Sequence, residues 1–262
     1  MSQFYLTLPS NSSMKFYPNN TLTSYTTHLQ TPISLSGDWE VGLVEIQYPY
    51  SWYNLQNNEN RIVYRQDGHR PVDLMIQPGY YDSPSQLLDQ INWMISVTAT
   101  KQGSDKFPVF KYNELTKRVS ATIRKDTLVS FSSTLASMLG VGERQNPIQN
   151  ELDVEDLPWY SRHACDVHRG FHSMYVYCDV LEHVPVGDTR APLLRIVNVR
   201  GSNGESIYRI YDKPLYVPLQ KKNFESLEID IRTDTGIPVP FEYGKVVVTL
   251  HFRLCKSSYF LQ

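Results

Sequence analysis

Leu227-Glu228-Ile229-Asp230-Ile231-Arg232 alternates apolar and polar residues without interruption. Thr233-Asp234-Thr235-Gly236 reads as a turn. Lys245-Val246-Val247-Val248-Thr249-Leu250-His251-Phe252-Arg253-Leu254 then alternates again. Successive side chains on a strand point to opposite faces, so both runs are half-buried β-strands. Together they predict a closing hairpin. The pattern runs nearly to residue 262, which carries the expectation of no separate C-terminal tail and no basic arm there for nucleic acid.

Working back from this pair, strand character recurs along the whole chain. Phe4–Pro9, Leu22–Leu29 and Trp39–Tyr48 read as strands, and the last is apolar on both faces apart from its glutamates, as a central strand is. Ile62–Tyr64, Val72–Ile76, Leu128–Phe131, Met174–Val180, Leu193–Val199, Tyr208–Tyr211 and Leu215–Leu219 add to the set, and Val109–Tyr112 with Val119–Arg124 forms a hairpin about Asn113–Lys117. Two helices interrupt the series. Ser83-Pro84-Ser85-Gln86 is a capping box with proline at the first helical position, followed by Leu87, Leu88, Ile91, Met94 and Ile95 at helical spacing. Ser133–Gly140 is a shorter helix ending in glycine. Strands do not alternate regularly with helices, which excludes a parallel α/β sheet. The reading is an all-β chain with two inserted short helices. Eight antiparallel strands in two facing sheets is the jelly-roll count, and an immunoglobulin-like sandwich or a barrel also fits it. One domain over residues 1–262 is expected, with a long polar loop or insertion at about 141–172.

Hydrophobic residues make up 41% of the 262, enough for a real core, and the 18 Tyr and 16 Pro suit pleated surfaces and turns. The net charge is −2 and no dense basic run exists, so the sequence carries no strong nucleic-acid-binding signal. No stretch has the length and apolarity of a membrane span. The start, Met1–Leu6, lacks the basic and apolar regions of a signal peptide, and the three cysteines are odd and sparse. Synthesis in a reducing cell interior is expected.

Candidate chemistry is thin. His163, Cys165, Asp166, His168 and His172 fall within ten residues and are weak metal-ligand candidates, because their spacing matches no standard zinc pattern. Cys178 alternates with Met174, Val176 and Val180, which makes it a small core residue rather than a nucleophile. Glu228 and Asp230 share a strand face as glycosidase carboxylates could, but they read as the solvated or subunit-facing side of that strand. No phosphate loop and no G-x-S-x-G appears, so neither an enzyme nor a cofactor is expected. The aromatic clusters Tyr50, Trp52 and Tyr53, then Tyr80 and Tyr81, then Trp159 and Tyr160 fall in loops. Exposed, they are subunit-interface candidates. Buried, they close the ends of the sandwich.

Three further stretches carry a resemblance. They are Phe4–Ser13 leading through Asn19-Asn20-Thr21 to Leu35–Ile46, then Met174–Asp179 with Ala191–Arg195, and last Asp234–Phe241. This resembles the minor capsid (penton) proteins of Polintons, also called Mavericks, and of adintoviruses. The resemblance implies a single jelly-roll β-sandwich and a structural role in the virion. It also implies a pentamer at the five-fold vertices of an icosahedral shell, beside a double jelly-roll major capsid protein that is much longer than this chain. It carries no active site. A glycan- or receptor-binding β-sandwich of a virion surface, with Trp52 and Trp159 stacking on sugars, is the alternative.

Overall fold

The structure is a computed structural model that describes residues 2–66, 68–150, 154–168 and 172–255. The expectation of a tailless end falls on residues 256–262, outside the described residues. The chain divides into two compact units, Met1–Trp52 with Phe171–Gln262, and Tyr53–Gly170.

In chain order the first unit supplies β1 (Gln3–Pro9), β2 (Ser24–Ser34) and β3 (Trp39–Pro49). The second unit follows with β4 (Arg61–Arg65), β5 (Val72–Met75), α1 (Pro84–Lys101), β6 (Lys111–Asn113), β7 (Arg118–Arg124), β8 (Leu128–Phe131), α2 (Ser133–Met138), β9 (Ile148–Gln149) and β10 (Asp156–Tyr160). The first unit then resumes with β11 (Ser173–Cys178), β12 (Val184–Val186), β13 (Thr189–Ala191), β14 (Leu193–Asn198), β15 (Ser206–Ile210), β16 (Tyr216–Pro218), β17 (Asn223–Thr233) and β18 (Val247–Leu254).

Strand pairing in the first unit is nested. β1 pairs with β18, β2 with β17, β3 with β15 and β16, and β11 with β14, all antiparallel. Each pair encloses the next, as in one long ribbon folded back on itself. Two more pairings, β18 with β3 and β11 with β17, roll that ribbon into two sheets. Their orders are β1-β18-β3-β15, with β16 also on β3, and β14-β11-β17-β2. This is the jelly roll, two facing antiparallel sheets over one core. It corrects one expectation: β17 and β18 are not a hairpin. They lie in different sheets, and residues 234–246, with Pro238 and Pro240 among them, pass from one sheet to the other.

The alternation quoted above is realised strand by strand. Leu227, Ile229, Ile231, Val248, Leu250 and Phe252 are fully buried, while Glu228 is exposed. They meet Leu43, Ile46, Met174 and Val176 from the facing strands. Tyr25 is buried among them with its hydroxyl donating to the Leu8 carbonyl at 3.1 Å, and burial raises its pKa.

The second unit has its own core, in which α1 contributes Leu87, Leu88, Ile91 and Ile95. It holds a four-stranded sheet, β5-β4-β8-β9, and a three-stranded sheet, β10-β7-β6. Ser83 caps α1, its hydroxyl accepting from the Gln86 amide at 3.3 Å, while the Gln86 side chain accepts from the Asp82 amide at 2.8 Å rather than from Ser83. At 18 residues, α1 is longer than the short helix expected. The expectation is one domain over residues 1–262 with a long polar loop or insertion at about 141–172; the compact unit Tyr53–Gly170 lies in sequence between β3 and β11. Both units are built from short alternating strands, so no change of composition marks residue 53.

Separate cores predict separate damage. Ile229→Ala is expected to cost the first unit about 2–5 kcal/mol through a buried cavity. Hydrogen exchange read by mass spectrometry should then lose protection in β2, β11 and β17 and keep it in α1. Ile91→Ala should do the reverse.

Candidate functional site

Burial sorts the seven aromatic candidates. In the first unit Trp52 is only 4% exposed and meets Tyr50 edge-on at 4.1 Å and Phe241 at 5.9 Å. The loop that holds it is tied down by Ser51, whose hydroxyl donates to the Tyr243 carbonyl at 2.9 Å. In the second unit Tyr81 is 5% exposed and donates to the Gln77 carbonyl at 2.6 Å. Trp159 packs against Phe110 at 6.1 Å, and Tyr80 is half-buried beside His168. Tyr53 and Tyr160 are exposed, Tyr160 by 64%. Trp52 and Tyr81 are therefore core residues of their own units, which is the buried of the two readings left open for these clusters. A large ring at a chain turn has enough apolar area to be drawn into the nearest core.

The histidine- and cysteine-rich segment does not converge. Among the described residues no three His, Cys, Asp or Glu side chains group so as to hold a metal ion. His163, Cys165 and His168 belong to the second unit and His172 to the first. Burial, helped by Asp166, pushes the Cys165 thiol up to about 12, and burial pushes Cys178 up to about 12. A thiol so shifted stays protonated and is a poor nucleophile at neutral pH.

Glu228 and Asp230 stand on the outer face of β17, as their alternation requires. Asp230 pairs with Arg232 at 2.6 Å, and the Glu228 amide donates to the Asp179 carboxylate at 2.8 Å. With Tyr177 and Pro192 they line an open cavity of about 370 Å³.

The surface that sequence reasoning missed is the outer face of the other sheet. Register places Tyr5, His251, Gly42 and Tyr216 in one row across β1, β18, β3 and β16. Thr7, Thr249, Glu45 and Ile210 form the next row, and Val247, Gln47 and Tyr208 the one after. Tyr5 is 60% exposed and Ile210 59%, and Tyr208 and Leu215 are exposed as well. Tyr5 stacks on His251 at 4.4 Å, and the Tyr216 hydroxyl is hydrogen-bonded to His251 Nδ1 at 2.7 Å. The Arg253 guanidinium lies 3.4 Å from the Tyr216 ring centroid and pairs with Glu40 at 2.5 Å. Gly42 permits this arrangement. A Cβ there would stand 2.9 Å from the Leu215 carbonyl oxygen, so only glycine lets residues 214–216 lie across β3. The signal was present in the sequence as Tyr5, His251 and Arg253 at alternate positions, but their common face depends on which strands pair.

No family model matches the chain, and no curated protein matches it. Among solved structures it is similar to the selenomethionine-labelled mavirus penton protein, at TM-score 0.52 and 11% identity over 96% of this chain and 99% of that one. It also aligns with a chain of the Sputnik virophage structure, at TM-score 0.47 and 11% identity over 97% and 98% of the two chains. Among the described residues no helix is long and apolar enough to cross a membrane.

The buried histidine makes the first unit sensitive to acid. Burial first, and the Arg253 charge second, hold the His251 imidazole below its ordinary pKa. Tyr5 faces it from β1, Gly42 from β3 between Glu40 and Glu45, Tyr216 from β16, and Arg253 follows two residues on. The unfolded chain takes up a proton near pH ~6.5 while the folded imidazole does not, so stability is full above that pH and falls as pH drops through it. Urea unfolding at neutral and mildly acidic pH should show a smaller loss in His251→Phe than in the wild type.

Proposed function

We propose that this chain is a structural minor capsid (penton) protein of a Maverick-like or adintovirus-like element, and that it acts in the virion. The observation that carries the reading is the end-to-end likeness to the mavirus penton protein, which spans 96% of this chain and 99% of that one. Such a match takes in the jelly roll and the insertion together, and an unrelated jelly roll would share only the first. The early resemblance of Phe4–Ile46 and Asp234–Phe241 to penton proteins is an independent support from sequence. The function needs no reacting group, in keeping with the protonated thiols of half-buried Cys165 and buried Cys178 and with an ion-paired Asp230.

In this reading five copies close a ring about a vertex, beside a double jelly-roll major capsid protein. A five-fold ring joins two different faces of each copy, head to tail. Tyr5, Tyr208 and Ile210 on the outer face of the β1-β18-β3-β15 sheet supply apolar and aromatic area for one face. The exposed Tyr53 and Tyr160 of the insertion remain candidates for contacts with neighbouring capsid components. The buried Trp52 speaks against the sugar-binding alternative, since a stacking platform has to be open.

Light scattering under native conditions tests the assembly. The expected mass is that of five 30.3 kDa chains. Ile210→Asp and Tyr208→Ala should each weaken association by about 2 kcal/mol, roughly thirtyfold, without unfolding the protomer. A strict monomer at high concentration, unaffected by added major capsid protein, would sink the reading.

A further inference from the structure

Where β14 and β15 form the open edge of the sandwich, positive charge enters the interior without an acid to balance it. Arg195 on β14 is in register with Val176, and Arg209 on β15 with Ile46. Both partners are fully buried, so both arginines point inward rather than toward water. Tyr211 follows β15, and the Arg195 guanidinium lies 3.6 Å from the centroid of its ring. Tyr211 also feels the charge of Arg209. Among the described residues the ion pairs formed by arginine and lysine involve neither Arg195 nor Arg209.

Two polar atoms at this edge are also orphaned. Arg195 Nη1 is buried and makes no hydrogen bond among the described residues, and neither does the hydroxyl of the fully buried Tyr48. That hydroxyl lies close to the Arg209 side chain and the Arg200 backbone amide. Buried polar groups in native structures are almost always paired, and an exception calls for a missing partner. Here the orphans are donors, and they gather beside two unneutralised guanidinium groups. Guanidinium forks match planar or tetrahedral oxyanions, and such charge-assisted bonds are strong in a partly dry site. Arg195 and Arg209 are themselves only half-buried, so the edge is reachable from solvent.

We propose that the β14–β15 edge is an oxyanion site, in which a carboxylate or a phosphate is held between Arg195 and Arg209 with the Tyr48 hydroxyl as a further donor. The site belongs to the single jelly-roll unit and does not depend on assembly. The same chemistry suits a free phosphate and the carboxylate of a polypeptide side chain, so two probes separate them.

Isothermal titration of the full chain in low-chloride buffer, with inorganic phosphate in one arm and acetate in the other, reads the site directly. At least one probe should bind saturably, and the better probe identifies the source. Arg195→Gln and Arg209→Gln should each weaken binding about ten- to a hundredfold. Arg195→Lys keeps the charge and loses the fork, and it serves as the second variant should Arg195→Gln fail to fold by circular dichroism. Tyr48→Phe should lower anion affinity while leaving the anion-free protein as stable as the wild type or more so, because it deletes an unpaired buried hydroxyl. Binding by neither probe overturns the proposal, as does binding that is equal in wild type, Arg195→Gln and Arg209→Gln.

Discussion

Pairing of β1 with β18 is the constraint on which the jelly roll depends. It joins Gln3 to Arg253 and Pro9 to Val247, so the first strand of the chain finds its place only when the last is present. The contact is apolar at its centre: Phe4 stacks on Phe252 at 4.8 Å, and Phe252 stacks in turn on Phe224 at 6.1 Å. Every inner pair, β2 with β17 and β3 with β15, sits within the loop this pair closes. Such long-range pairing makes the fold slow to form, because loop-closure entropy is lost before contacts repay it. The insertion at Tyr53–Gly170 adds little to that loss. Closure entropy grows only with the logarithm of loop length, about 0.6 kcal/mol for each doubling, and a unit with its own core holds its chain compact.

That nesting also explains what could be read from the residues in order and what could not. A strand announces itself through its own alternation, which is local, and so Trp39–Tyr48, Met174–Val180 and Val246–Leu254 were legible. Partners are set by distant residues. Leu227–Arg232 and Val246–Leu254 are neighbours in sequence with a turn between them, and hairpin is the natural inference. They separate because β17 is already flanked by β2 and β11, and β18 by β1 and β3. The boundary at residue 53 was invisible for a related reason. Ile62–Tyr64 alternates as well as Tyr25–Leu29 does, and nothing local says that one belongs to a different core.

The surface aromatics obey the same division between local and distant information. Trp52 and Tyr81 look like interface anchors because they stand in loops, yet Phe241 in one case and the Gln77 carbonyl in the other draw them inward. Tyr5 and Tyr208 look like ordinary strand residues, yet they are exposed on one face of one sheet. The row of Tyr5, His251 and Tyr216 exists only because Gly42 lets residues 214–216 cross β3. A single missing Cβ therefore decides whether His251 is a solvated surface histidine or a buried, acid-sensitive one. For the proposed work of fitting against other chains, these placements are the functional chemistry.

Proline marks which surfaces are open to that work. An unpaired sheet edge is a template for strand addition, and a protein that assembles to a closed shell has to keep its edges from pairing indiscriminately. Pro9 lies in β1, Pro32 in β2, Pro218 in β16, and Pro192 immediately before β14. β1, β2, β14 and β16 are outer strands, whereas the central β11, β17 and β18 contain no proline; the central β3 carries one only at its last residue, Pro49, and the outer β15 carries none. Each edge proline removes a backbone donor and fixes its own φ, which weakens any added strand. With those edges blunted, attraction between copies in the proposed assembly falls to the side chains on the sheet faces, where Tyr5, Tyr208 and Ile210 are exposed. Face-to-face contacts are set by side-chain shape and admit one geometry, while edge-to-edge pairing tolerates slips of register. The distribution of proline and the distribution of exposed aromatics are thus both compatible with the proposed ring, joined through faces rather than edges.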